Sequence, residues 1–163
     1  IAAMTVEQAY RRYVERVDPA LSAGDLAPRL IDTTIELGAI YRSHAVASED
    51  DDSVLVEAPE APSGRPGTRF PHVWLEEGVS TLDLAGDGLV LLAGPDGRDW
   101  IMAAASAGLA GHSLSAAARR LAGIEDDGAL LLRPDGVIAW RSRHGAPDAT
   151  TTLSDAIRRI GGR

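Results

Sequence analysis

The amino-acid sequence predicts an α/β protein, a mixed sheet with flanking helices, and three observations carry that prediction. LVLLAG, Leu89 to Gly94, is a continuous apolar run of strand length, the pattern of a central strand covered on both faces. LLLRPDGVIAWRS, Leu130 to Ser142, places two apolar runs around a Pro-Asp-Gly turn and reads as a tight antiparallel hairpin. TTLSDAIRRIGG, close to the end, has the spacing of a short amphipathic helix.

Taken in order, the first element is TVEQAYRRYVERV. Thr5 and Gln8 have capping-box spacing, and Val6, Ala9, Tyr10, Tyr13, Val14 and Val17 share one helical face, which Pro19 closes. A lone helix of this length is marginal in water, so its apolar stripe needs a surface to dock on. Because the chain starts at Ile1 rather than a methionine, it reads as a piece of a longer protein. Leu21 to Asp32 is an irregular connection. TTIELGAIYRSHAV, Thr33 to Val46, alternates as one bent strand or two short ones, with Gly38 at the break. The acidic run Glu49 to Asp52 lacks the interleaved ligands and turn glycine of a calcium loop, and reads as a solvated loop. SVLVEA follows as a brief strand, and APEAPSGRPG, Ala58 to Gly67, as a linker.

Pro71 marks an edge or a strand start ahead of the apolar segment His72 to Leu75. STLDLAGDG is a small strand or turn that ends at Asp87-Gly88. Pro95 to Gly97 breaks the central strand. Asp99 to Leu109 is helical by composition, with Asp99 as N-cap and Gly108 as its stop. Ser113 to Leu121 is ambiguous: its alanines favour a helix, whereas a strand would complete the sheet. In the hairpin turn, Pro134 presets φ, Asp135 suits the next position and Gly136 accepts the left-handed conformation. Leu130 to Leu132 is then a central strand, with Trp140 on its partner turned to the core or an interface. In the last helix Leu153, Ala156, Ile157 and Ile160 form the buried stripe, and Arg158 and Arg159 suit the C-terminal dipole. A strand, helix and parallel strand, followed by an antiparallel hairpin and a covering helix, is the thioredoxin-like arrangement. It requires Ser113 to Leu121 to be a strand.

Composition narrows the function classes. With 163 residues the chain can bury the core of one domain, or of a domain plus an arm. The absence of cysteine removes disulfides, thiol catalysis and cysteine-ligated zinc, and fits a cytoplasmic location. A net charge of −8 without a basic stripe argues against a nucleic-acid partner. No apolar run approaches a membrane span, and the first residues do not resemble a signal peptide. All sixteen basic residues are arginine, which together with abundant alanine and glycine points to a GC-rich bacterial genome.

Several residues invite a catalytic reading. GHSLS, Gly111 to Ser115, approximates a nucleophile elbow, with His144 and Asp148 as downstream partners for Ser113. The second glycine position holds Ser115, an alanine-rich segment precedes it, and the chain order Ser-His-Asp is not that of an elbow, so a serine hydrolase is the weaker reading. His44, His72, His112 and His144 are too dispersed to form a metal-ligand pair. GDG, GPDG and RPDG lack the G-x-G-x-x-G spacing of a dinucleotide site and read as turns. Trp74, Trp100 and Trp140 suit a core or an interface better than a stacked ligand. These residues therefore yield no catalytic, cofactor-binding or metal-ligating assignment.

Three ordered motifs supply a family resemblance. They are P-G-x-R-x-P-H, carried by Pro66, Gly67, Arg69, Pro71 and His72; S-T-x-D-L, carried by Ser80, Thr81, Asp83 and Leu84; and R-P-D-G-x-x-A-W-R, carried by Arg133, Pro134, Asp135, Gly136, Ala139, Trp140 and Arg141. Together with IELGAIYRSHAV they resemble the C-terminal region of FAD-dependent aromatic-ring hydroxylases of the phenol and polyketide type. That resemblance implies a thioredoxin-like C-terminal domain without redox cysteines. Where a thioredoxin holds its cysteine pair, this chain reads Pro95-Asp96-Gly97-Arg98-Asp99-Trp100. It also implies a parent enzyme that uses NAD(P)H to reduce FAD and hydroxylates an activated aromatic ring, with the flavin and substrate sites in a preceding module. The organisation expected is 1–34 as helix and connection left from that module, 35–67 as strand and linker, and 68–163 as the thioredoxin-like domain. Expected partners are the FAD module of the same polypeptide and a second copy of the chain, with no flavin on this part itself. A freestanding interaction or dimerisation module, using Tyr10, Tyr13 and the tryptophans, is the alternative.

Overall fold

The computed structural model describes residues 32–49, 54–84, 86 and 88–162. The predicted helix Thr5 to Val17, the connection from Leu21, the carboxylates Asp50 to Asp52, and Asp87 lie outside the described residues. In chain order the elements are α1 (Asp32–Gly38), β1 (Trp74–Glu76), β2 (Val79–Ser80), β3 (Val90–Ala93) and α2 (Arg98–Ser106), then β4 (Ala110–Ser113), α3 (Ala118–Leu121), β5 (Ala129–Leu132), β6 (Ile138–Ser142) and α4 (Ala149–Ile160).

The two leucine runs pair with each other. The four-stranded sheet has the order β4-β3-β5-β6: β3 is parallel to β4 and antiparallel to β5, and β5 and β6 form the hairpin. This is the thioredoxin-like arrangement, with α2 as the crossover between the parallel strands and α4 as the covering helix. Side chains alternate across β3 and β5, so the leucines divide between two cores. Leu91 and Leu131 meet Trp100 and Ala104 of α2 and Leu153 and Ile160 of α4 on one face. Leu92, Leu130 and Leu132 meet Phe70, Leu114, Ile124 and Ile138 on the other. A continuous apolar run is what burial on both faces demands. The outer edge of β6 is sealed by the segment before β1: Gly67 N donates to Ile138 O at 2.8 Å and Ile138 N donates to Thr68 O at 2.9 Å. The predicted linker Ala58 to Gly67 therefore ends laid along the sheet.

Four predicted elements differ, among them SVLVEA, which among the described residues gives no strand and only a bridge at Val56. Thr33 to Val46 is not a strand. It begins as α1, and beyond Gly38 it contributes only an isolated bridge between Ala39 and Val56. β-branched Thr33, Thr34 and Ile35 favour a pleated surface only when neighbouring strands supply one, and among the described residues none does. Gly38 does mark the break, because a Cβ there would overlap the Glu57 carbonyl that the chain passes closely. The second parallel strand starts at Ala110, three residues before the predicted segment, straight after Gly108 turns the chain with φ of 73°. The alanines that favoured a helix are used in α3. Asp99 is not the N-cap of α2. Gly97 holds that position without a side-chain bond, and Asp99 lies in the first turn.

The α4 cap is a side chain that the triad reading had claimed for another purpose. Asp148 Oδ1 accepts from Thr151 N at 2.9 Å and Oδ2 from Thr151 Oγ1 at 2.7 Å. These bonds, the backbone one foremost, hold its pKa below the usual aspartate value. Asp148→Ala should destabilise the protein, read as a lower urea midpoint with unchanged slope. An undisturbed midpoint would show that the helix does not depend on this cap.

Candidate functional site

The signature motifs converge on the closed end of the β5–β6 hairpin. The turn is self-contained: Gly136 N donates to Arg133 O, and Arg133 N to Val137 O, both at 2.9 Å. Asp135 accepts from Val137 N at 3.2 Å and from Arg133 Nη2 at 2.8 Å. Gly136 has φ of 78°, the left-handed conformation that the sequence demanded. The PGxRxPH stretch clasps this turn from outside. Arg69 pairs with Val137, Arg69 Nη1 donates to Asp135 O at 2.7 Å, and Phe70 N donates to Gly136 O at 2.9 Å.

The STxDL motif holds the next turn of chain. Thr81 Oγ1 donates to Pro71 O at 2.8 Å and accepts from Val73 N at 3.0 Å, and Thr81 N donates to Val73 O. Asp83 Oδ2 accepts from Ser80 Oγ at 2.6 Å and Ser80 N at 2.7 Å. Those two bonds, side chain first, hold the Asp83 carboxyl below its ordinary pKa. The His72 and Trp74 rings meet edge to face, with centroids 5.1 Å apart. Pro71 and Phe70, with Pro59, Pro62, Leu37 and Leu82, line an apolar groove of about 320 Å³.

Arg141, the last signature residue, is a buried tie. Its side chain is 2% exposed. Nε and Nη2 donate to the two carboxylate oxygens of Glu49 at 2.9 and 2.5 Å. Nη1 donates to the carbonyls of Ser63 (2.9 Å), Gly123 (3.2 Å) and Ala122 (3.3 Å). One guanidinium thus joins β6, the loop after α3, the former linker and the head of the acidic run. Glu49, expected as part of a solvated loop, is a structural ion-pair partner and also reaches Arg143 at 3.3 Å. Sequence reading missed the pair. The one available signal was a charge within an apolar strand, since a separation of 92 residues leaves no local pattern.

The position of a thioredoxin's cysteines is occupied by backbone pairing. Gly94 N donates to Gly128 O at 2.9 Å and Asp96 N to Asp126 O at 2.8 Å. Trp100, 1% exposed, donates Nε1–H to Asp127 O at 2.9 Å and packs edge to face on Trp140 with centroids 5.5 Å apart. Both tryptophans belong to the core face, as expected of architectural residues. This strand-to-helix turn does not fit the pyrophosphate of a dinucleotide such as FAD. The amides of Gly94, Asp96, Gly97 and Trp100 bond within the fold, and Asp96, Asp99, Asp126 and Asp127 surround the turn in sequence and pairing with negative charge.

The hydrolase constellation is not brought together. Ser113 pairs with Ala93, which pairs with Ala129, which pairs with Ser142. Three inter-strand steps of ~4.8 Å put β4 and β6 roughly 14 Å apart. His144 lies just beyond Ser142, and Asp148 is committed to its cap. Among the described residues, no three His, Asp or Glu side chains converge as a metal site.

Comparisons with known proteins agree with the motifs. The family model described as "Aromatic-ring hydroxylase, C-terminal" matches residues 63–163. The chain is 41% identical to 4-methyl-5-nitrocatechol 5-monooxygenase of Burkholderia sp, over 98% of this chain and 33% of that protein. It is likewise 41% identical to an aklavinone 12-hydroxylase of Streptomyces purpurascens, over 98% of this chain and 32% of that protein. Among solved structures, aklavinone-11 hydroxylase in a ternary complex with FAD and aklavinone matches with a TM-score of 0.78 and 38% identity, over 97% of this chain and 32% of that one. The chain thus spans about a third of the length of the curated relatives it matches.

Proposed function

Because the chain belongs to the family of aromatic-ring hydroxylase C-terminal domains, we propose that it is the architectural C-terminal part of an FAD-dependent aromatic-ring monooxygenase. The flavin, the NAD(P)H that reduces it and the aromatic substrate bind in the rest of the polypeptide. This domain supplies a rigid body that packs on that module and contributes to contact between copies. A cytoplasmic location goes with it; among the described residues no helix is long and apolar enough to cross a membrane.

One observation carries the reading: the family match over 63–163 falls on the clasped hairpin, and that hairpin is built for shape. The polar signature side chains Arg69, Ser80, Thr81, Asp83, Arg133, Asp135 and Arg141 bond to backbone, to a neighbouring turn or to a structural partner, and His72 and Trp140 pack against other rings. The β3–α2 turn, where a pyrophosphate would sit, is paired with Asp126 and Gly128 and ringed by carboxylates. Titration of FAD into the 163-residue chain, followed by flavin fluorescence, should show no saturable binding in the submicromolar range. The full-length protein should retain FAD through purification and oxidise NAD(P)H. Tight flavin binding by the 163-residue chain would refute the architectural role.

A further inference from the structure

We propose that the apolar groove beside the clasped hairpin is the socket that receives side chains from the flavin-bearing part of the same polypeptide. This rests on the reading above and names the surface through which the domain would act. The groove is apolar and exposed. Leu37 and Leu82 line it at 50% and 62% exposure, and Trp74, 63% exposed, stacks on His72, another lining residue. Large apolar side chains scattered singly are ordinary on a protein surface; gathered round a concavity they mark a contact site. The walls are stiff, because Pro59, Pro62 and Pro71 have fixed φ, while Phe70 at 4% exposure anchors the lining to the core.

Two other occupants fit less well. A small ligand needs a few free polar groups converging on its site. Here Glu57 accepts from Ser63 through both carboxylate oxygens (2.6 and 3.3 Å), Arg69 donates to Asp135 O, and His72, edge to face with Trp74, is a single polar ring rather than a converging set. A second copy would have to hold by area alone, and stable association between separate chains takes more than about 1,000 Å². A tethered module faces no such threshold, since its effective concentration is set by the link. Relatives aligned over 98% of this chain are about three times its length, so a large tethered body is available.

Hydroxyl-radical footprinting of the full-length protein tests this, with Met102 as internal reference. Met102 is 58% exposed on α2, on the opposite side of the sheet from the Phe70 core. Trp74 and Leu82 should be oxidised several-fold more slowly than their exposure in this domain dictates, at every protein concentration, while Met102 reacts freely. Leu82→Asp should raise Trp74 oxidation several-fold without loss of FAD. Free oxidation of Trp74 and Leu82 in a protein that carries FAD overturns the socket and leaves the family reading standing. Protection that disappears on dilution assigns the groove to a second copy and also overturns it. A full-length protein without flavin removes the proposed function and the socket together.

Discussion

Replacing Arg141 by methionine is expected to cost the chain about 3–5 kcal/mol of unfolding free energy, the range for breaking a buried ion pair by removing one partner. Methionine retains much of the apolar stem, so the loss isolates the guanidinium. With it go both bonds to Glu49 and three to main-chain carbonyls. Glu49→Gln should cost less, about 1–2 kcal/mol, because the amide oxygen still accepts and the glutamate side chain is 31% exposed. The pair also sets a pH dependence. Burial acts to raise the Glu49 pKa, but hydrogen bonds and charge from Arg141, then Arg143, outweigh it, so the folded value lies below the ordinary one. A depressed carboxylate contributes fully above its unfolded pKa of about 4.3, and that contribution drains away as pH falls through the folded value. The difference between parent and Arg141→Met should therefore be constant near neutrality and shrink in acid. Urea unfolding at a series of pH values measures it, and a difference that grows in acid would contradict the assignment.

Trp100→Ala should be of similar size, about 3–5 kcal/mol, for loss of a fully buried indole from the face shared by α2 and α4. Trp100→Phe separates packing from bonding. It retains most of the apolar surface and leaves the Asp127 carbonyl without its indole donor, at about 1–3 kcal/mol. Urea midpoints of the two variants should fall in that order. Equal losses would mean that the indole N–H, rather than the ring, holds the start of α2. Either way the residue at the end of this turn serves the fold, and with no cysteine in the chain the turn has no thiol chemistry.

Much of this was legible from short-range pattern. Leu89 to Gly94 is apolar because two faces are buried, the RPDG turn has one residue for each conformational demand, and Leu153, Ala156 and Ile160 repeat at helical spacing. What could not be read is non-local or relational. Thr33 to Ile35 have strand propensity and, among the described residues, no strand beside them. Asp148 looks like an acid looking for a histidine until Thr151 is seen three residues on, a capping distance rather than a catalytic one. The Glu49–Arg141 tie spans 92 residues, and nothing in either neighbourhood announces the other. The motifs themselves were visible, but their meaning as a clasp emerged only when Arg69 met Asp135 in space.

The sheet's two borders are unlike, and that difference has a topological consequence. The β6 side is sealed by Gly67 and Thr68, whereas among the described residues β4 has β3 alone as neighbour. A sheet with two open borders can add copies head to tail without end; a sheet with one can meet at most one other, border to border. Strand-by-strand association through β4 alone would close at a pair. Even that pair would be thin, since β4 offers four residues, one of them Gly111.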